Sequence, residues 1–113
     1  MFKKIIFPLI CILSFTSLAF SEVKLPEGTI QAGSLCNQKL IMDAKVGVAG
    51  KVATLGCDKP ETLQMFVVKL PTGKVGSKTW QEKWMVGGCK KNYPIDITFA
   101  EDGVGGAYWT IAK

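Results

Sequence analysis

Four stretches of this chain alternate or cluster their apolar residues as strands do. Leu63–Leu70 (LQMFVVKL) is rich in β-formers. Lys78–Val86 (KTWQEKWMV) places Trp80, Glu82, Trp84 and Val86 on one face and Thr79, Gln81, Lys83 and Met85 on the other. Tyr93–Phe99 (YPIDITF) alternates more cleanly, with Tyr93, Ile95, Ile97 and Phe99 inward and Asp96 and Thr98 outward. Ala107–Ala112 (AYWTIA) closes the series. Alternation with one solvated face is the signature of antiparallel strands. The short polar and glycine-rich links between them, Pro71–Ser77, Gly87-Gly88 and Glu101–Gly106, favour a meander of hairpins.

Upstream of the strands the period changes. Cys36, Leu40, Ile41 and Ala44 recur at spacings near 3.6. Ser34 is placed to cap a helix from Leu35 to about Lys45, with Asn37, Lys39 and Asp43 facing water and Gly47 ending it. A strand through 39–46 is the rival, because Leu40-Ile41-Met42 fits either period. Glu22–Gln31, carrying Pro26 and Gly28, reads as an extended lead-in. Gly47–Gly56 reads as a loop or short edge strand, and Cys57–Pro60 as a turn. The expected fold is α+β: an N-terminal helix packed on a four-stranded antiparallel meander sheet.

The first 21 residues belong to another pattern. Met1-Phe-Lys-Lys opens with two positive charges, Ile5–Phe20 is almost wholly apolar, and Ala19-Phe20-Ser21 puts small residues before Glu22. This is the layout of a secretory signal peptide cleaved after Ser21. The apolar run is shorter than the roughly 20 residues a spanning helix wants, and Pro8 interrupts it. Cys11 lies inside that run with no small residue just before it, against a lipoprotein signal. Cleavage leaves residues 22–113, one small domain in the periplasm or secreted, not spanning the membrane. A core this small is marginal and gains from a covalent staple.

Export makes a disulfide the default reading of the cysteines. Three lie beyond residue 21: Cys36, Cys57 and Cys89. If Leu70 faces Thr79 across the first hairpin, the same register brings Cys57 opposite position 92, next to Cys89, at the open end of the hairpin. That favours Cys57–Cys89 and leaves Cys36 as an unpaired thiol. Cys36 reads either as a small hydrophobe on the helix's apolar face or as the site of an intermolecular disulfide. A Cys-x-x-Cys redox motif is absent from the sequence.

Charge narrows the function further. Twelve lysines and nine acids remain after residue 21, a net charge of +3, with no arginine and with only Lys90 and Lys91 adjacent. Dispersed lysines make a soluble surface rather than the concentrated stripe a nucleic acid needs. The chain has no histidine, which removes the commonest general base and metal ligand. No metal site, cofactor site or catalytic residue is expected. Glu82 and Asp96 fall on neighbouring strands with opposite parity, so they do not form the paired carboxylates of a glycosidase.

Trp80-Gln-Glu-Lys-Trp84 remains the most distinctive segment, with Tyr108 and Trp109 on the last strand. One reading makes the tryptophans core beneath the helix, with Glu82 at the rim or paired to a lysine, since a buried carboxylate without a partner is costly. The other makes Trp80, Glu82, Trp84, Tyr108 and Trp109 a recognition face, because tryptophan and tyrosine are favoured at binding surfaces.

Trp80-x-Glu-x-Trp84-x-Val86-x-x-Cys89, followed by an alternating strand and Asp102-Gly-Val-Gly-Gly106, resembles a group of small exported bacterial proteins of unassigned function. The resemblance covers about residues 57–111. It implies the exported compartment and the Cys57–Cys89 pair, and it carries no chemistry. The expectation is therefore a non-catalytic exported protein that binds an envelope or secreted protein, as inhibitor, immunity or accessory factor. The alternatives are a carbohydrate- or peptidoglycan-binding module using Trp80, Trp84 and Trp109, and a homodimer linked through Cys36.

Overall fold

The computed structural model describes residues 24–113. The expected signal segment, Cys11 and the cleavage point after Ser21 lie outside the described residues.

The elements run β1 (Gln31–Ala32), α1 (Gln38–Thr54), β2 (Pro60–Thr72), β3 (Thr79–Gly88), β4 (Lys91–Glu101) and β5 (Ala107–Ile111). The strands form one antiparallel sheet in sequence order. The meander of β2 to β5 is as expected, but the sheet has five strands rather than four. The extra strand comes from the lead-in: Gln31 and Ala32 pair with Val67 and Phe66. The Ile30 amide donates to the Val67 carbonyl at 2.8 Å and the Gly33 amide to the Met65 carbonyl at 2.8 Å. Two residues suffice because β2 offers its outer edge there.

The helix also differs from expectation. It starts at Gln38 rather than Leu35 and continues through Gly47 and Gly50 to Thr54, so most of the expected 47–56 loop is its last two turns. Its cap is Asn37, whose side chain accepts from the Leu40 amide at 2.8 Å. Ser34 is used elsewhere. Leu40, Ala44, Val48 and Val52 are all buried, a four-residue repeat that keeps one stripe against the sheet. This stripe decides for the helix over the strand at 39–46. It passes through a glycine-containing run because small residues let the helix approach β5: a Cβ on Gly47 would overlap the Trp109 ring.

The β2–β3 register follows the expected rule over Thr62–Val67, where Leu63 faces Val86 and Met65 faces Trp84. Irregularities on either side shift it, so Thr79 faces Thr72 rather than Leu70. Gly87 and Gly88 do not end β3. The turn to β4 is Cys89-Lys90, both in the left-handed region at φ 51° and 64°, the conformation that a two-residue hairpin loop of matching twist demands. Gly88 is needed for closeness: a Cβ there would lie 2.9 Å from the Lys59 carbonyl and 3.3 Å from the Cys57 sulfur.

Cys57 and Cys89 are bonded, with their Cα atoms 5.8 Å apart. Cys57 is fully buried and joins the core. That core lies between α1 and one sheet face and is built from Trp80, Trp84 and Val86 of β3 and Tyr93, Ile95, Ile97 and Phe99 of β4. Fully burying one such apolar side chain contributes about 1.5–3 kcal/mol. The outward residues of β4, Pro94, Asp96 and Thr98, face solvent. Among the described residues no helix is long and apolar enough to cross a membrane. The disulfide and that finding are compatible with export.

Candidate functional site

The alternation of β3 sends Trp80, Glu82 and Trp84 together to the helix-covered face. Glu82 is completely buried. Its two oxygens are shared evenly among donors. Trp84 Nε1 donates to Oε1 at 2.8 Å and Ser34 Oγ donates to Oε1 at 2.7 Å. Trp80 Nε1 and the Leu35 amide donate to Oε2, each at 2.9 Å. The Cys36 thiol adds a long contact to Oε2 at 3.7 Å. Ser34 Oγ in turn accepts from the Cys36 amide at 3.0 Å.

No lysine takes part. The ion pairs among the described residues are Lys39–Asp43 and Lys83–Asp96, both away from this cluster. The carboxylate is held by neutral donors, each giving a charge-assisted bond of the stronger kind. The sequence raised the cost of an inward Glu82 and placed the answer at the rim or in a lysine. The answer is instead two indoles two positions away and the segment just before the helix. The indoles are fixed in turn: Trp80 stacks on Phe99 with ring centroids 5.2 Å apart, and Trp84 lies tilted to the same ring at 6.1 Å.

This geometry makes Glu82 a clamp. Two of its four strong bonds, from Ser34 and Leu35, tie the segment before the helix onto β3 and so fix where α1 begins, which is why Ser34 is unavailable as the cap. The clamp also quiets Cys36. Burial of the half-buried thiol, with the Glu82 charge beside it, outweighs the lowering effect of the Ser34 hydrogen bond and pushes its pKa up to about 12. Such a thiol is a poor nucleophile near neutral pH.

Of the five aromatic and acidic residues considered together in the sequence, Trp80, Glu82, Trp84 and Trp109 share the helix-covered face and only Tyr108 lies on the other. Trp80, Glu82 and Trp84 meet in the interior, so the closed domain presents no face made of them. Trp109 is half-buried with its ring over Gly47. Tyr108, one position away and so on the opposite face, is 67% exposed. Glu82 and Asp96 lie on opposite faces, as expected from parity: Glu82 is buried, and Asp96 is exposed beside Lys83. Among the described residues no three histidine, cysteine or carboxylate side chains gather as a metal cage.

A groove of about 740 Å³ lies between the start of α1 and the tips of the β2–β3 and β4–β5 hairpins. Trp80 shows its edge there, Leu35 and Leu40 line one side, and Val75 and Val104 stand at the tips. The two valines are 92% and 86% exposed. The tips are held rather than loose. Asp102 accepts from the Val104 and Gly106 amides, both at 2.9 Å, which holds its carboxyl below the usual range. Glu101 accepts from the Lys78 amide at 2.8 Å and so pins one hairpin to the other. The sequence reads Glu101–Gly106 only as a glycine-rich link between strands. The signal that reading passes over is Asp followed by glycines, an Asx-type turn that bonds its own backbone.

Comparison with known protein families, curated proteins and solved structures finds no match to this chain.

Proposed function

We propose that this chain is a non-catalytic exported protein that acts by binding another protein of the envelope or a secreted one, as an inhibitor, immunity or accessory factor. The observation that carries the reading is the pair of exposed valines, Val75 and Val104, on hairpin tips fixed by Glu101 and Asp102 beside the groove. Exposed apolar side chains on ordered turns lose little entropy when they are covered, which is the economy of a preorganised binding surface. Glu101 and Asp102 line the same groove, where Asp43 is already paired with Lys39, in a chain of net positive charge. The partner segment that fits carries a lysine or arginine beside aliphatic side chains.

The interior supports the non-catalytic part. Glu82 has both oxygens occupied, Cys57 and Cys89 are bonded to each other, and the Cys36 thiol is held protonated. Each of these groups already has a structural use. A sugar-stacking platform of Trp80, Trp84 and Trp109 has less support, because two of the three lie beneath α1.

The test is capture from an envelope extract with the tagged protein, alongside a Val75→Asp, Val104→Asp double variant. The expected result is a partner retained by the natural chain and lost by the variant, with the disulfide intact in both. Recovery of no partner above background after crosslinking, or equal recovery by both proteins, overturns the reading.

A further inference from the structure

The two edges of the sheet are treated very differently by the sequence. The outer edge of β2 carries Pro60, Glu61, Lys69 and Pro71, is broken by three register shifts, and is partly covered by β1. Prolines, charges and bulges are the devices by which proteins prevent unwanted strand pairing. The opposite edge, β5, has none of them. Its sequence is Ala-Tyr-Trp-Thr-Ile, uncharged, rich in β-formers, and paired to β4 without a shift.

The register shows which backbone groups that edge leaves open. The Ala112 amide donates to Asp96 and the Gly106 carbonyl accepts from Asp102, so even-numbered residues turn their polar groups toward β4. Alternation turns the amides and carbonyls of Ala107, Trp109 and Ile111 outward. Among the described residues no backbone group bonds them.

We propose that β5 is a self-association edge that pairs antiparallel with β5 of a second copy, about a two-fold axis at Trp109. The three outward residues are self-complementary in that register. Trp109 meets Trp109, Ala107 meets Ile111, and Ile111 meets Ala107, so all six outward amides and carbonyls of each strand find partners. On the solvent face Tyr108 of each copy lies across from Thr110 of the other, an aromatic and β-branched pair of the favourable kind. No like charges are brought opposite one another within the strands. Just beyond them, Lys113 comes level with Gly105 of the second copy, in the loop that carries Asp102. An extended segment of a different protein would satisfy the backbone equally but gains nothing from this symmetry. The axis keeps both helices on one side of a continuous sheet. The contact does not involve Cys36 and meets the hairpin-tip groove only at its rim, at Gly105 and Ala107, so Val75 and Val104 remain outside the paired strands.

The test uses protein expressed from the full coding sequence and purified as the cell processes it. Mass in solution is measured against concentration by light scattering, with amide exchange read at the two extremes. The expected result is a reversible doubling of mass, with slow exchange at Trp109 and Ile111 only in the concentrated sample. Ala107→Pro removes an outward donor at a position where an edge strand tolerates proline. Thr110→Lys places like charges about the axis. Both variants are expected to stay monomeric with the Cys57–Cys89 bond intact, whereas Cys36→Ser still dimerises. A monomer at every concentration, fast exchange of both amides in the concentrated natural protein, a dimer that survives both edge variants, or a dimer abolished by Cys36→Ser each overturns the proposal.

Discussion

The Ser34 hydroxyl donates to the Glu82 carboxylate at 2.7 Å across a sequence separation of 48 residues. This bond joins the segment before the helix to the central strand, inside a cluster where Glu82 is wholly buried. A buried charge without donors is strongly unfavourable, so the cluster stands or falls together. Ser34→Ala is expected to cost about 1.5–3 kcal/mol, the range for a hydrogen bond to a charged group. Glu82→Ala, which strands two indole N–H groups in the core, is expected to cost more, about 3–5 kcal/mol. Urea unfolding measures both. A Glu82→Ala loss smaller than that of Ser34→Ala would remove the clamp from the account.

Two glycines of the helix are expected to respond to alanine with opposite signs. Gly50 has open space where a Cβ would stand, while at Gly47 that atom would overlap the Trp109 ring. Gly50→Ala is expected to stabilise by up to about 1 kcal/mol through helix propensity. Gly47→Ala is expected to destabilise by about 1–3 kcal/mol through overpacking. Thermal melts of the two variants decide the matter, and equal shifts in one direction contradict the close approach of α1 to β5.

The Cys57–Cys89 bond closes a loop with a sequence separation of 32. Chain-entropy reasoning gives a loop of that size about 3–4 kcal/mol of stabilisation. A Cys57→Ala, Cys89→Ala double variant is expected to lose at least that much in denaturant unfolding, since Cys57 also fills space in the core. A loss below about 1 kcal/mol, at the low end of the range for native bridges, shows that the bridge is not a principal staple.

Cys36 sets an alkaline limit. Below its ordinary value of 9.0 the thiol is protonated whether the chain is folded or not. Between there and about 12 the unfolded chain releases a proton that the folded chain retains. Rising pH in that window therefore favours unfolding. The stability difference between the natural protein and Cys36→Ala is expected to shift against the natural protein from pH 9 upward. Alkylation of Cys36 at pH 8 is expected to be far slower in the folded protein than in urea. Equal rates would mean that the thiol is neither buried nor held by Glu82.

Much of this fold is legible in the chain itself because its cause is local. The inward positions of β3 and β4 follow from a period of two along the backbone, whereas the register of the first hairpin is legible only over Thr62–Val67, because irregularities on either side shift it. The Cys57–Cys89 pair is legible because an approximate register, a residue or two out at the ends, still brings the two cysteines to the open end of the same hairpin. The stripe at Leu40 and Ala44 likewise announces a helix.

What only the tertiary structure decided is where distant segments meet. Nothing near Ser34 shows that its hydroxyl serves Glu82 rather than the helix, so the cap passes to Asn37. Nothing near Gly47 shows that Trp109 occupies the space beside it, so a glycine that reads as a helix stop is a point of close packing. The same holds for Trp80 and Trp84, which alternation places on one face without saying what covers it. Period and parity are properties of neighbouring residues, whereas the satisfaction of a buried charge and the filling of a core are settled by residues that only folding brings together.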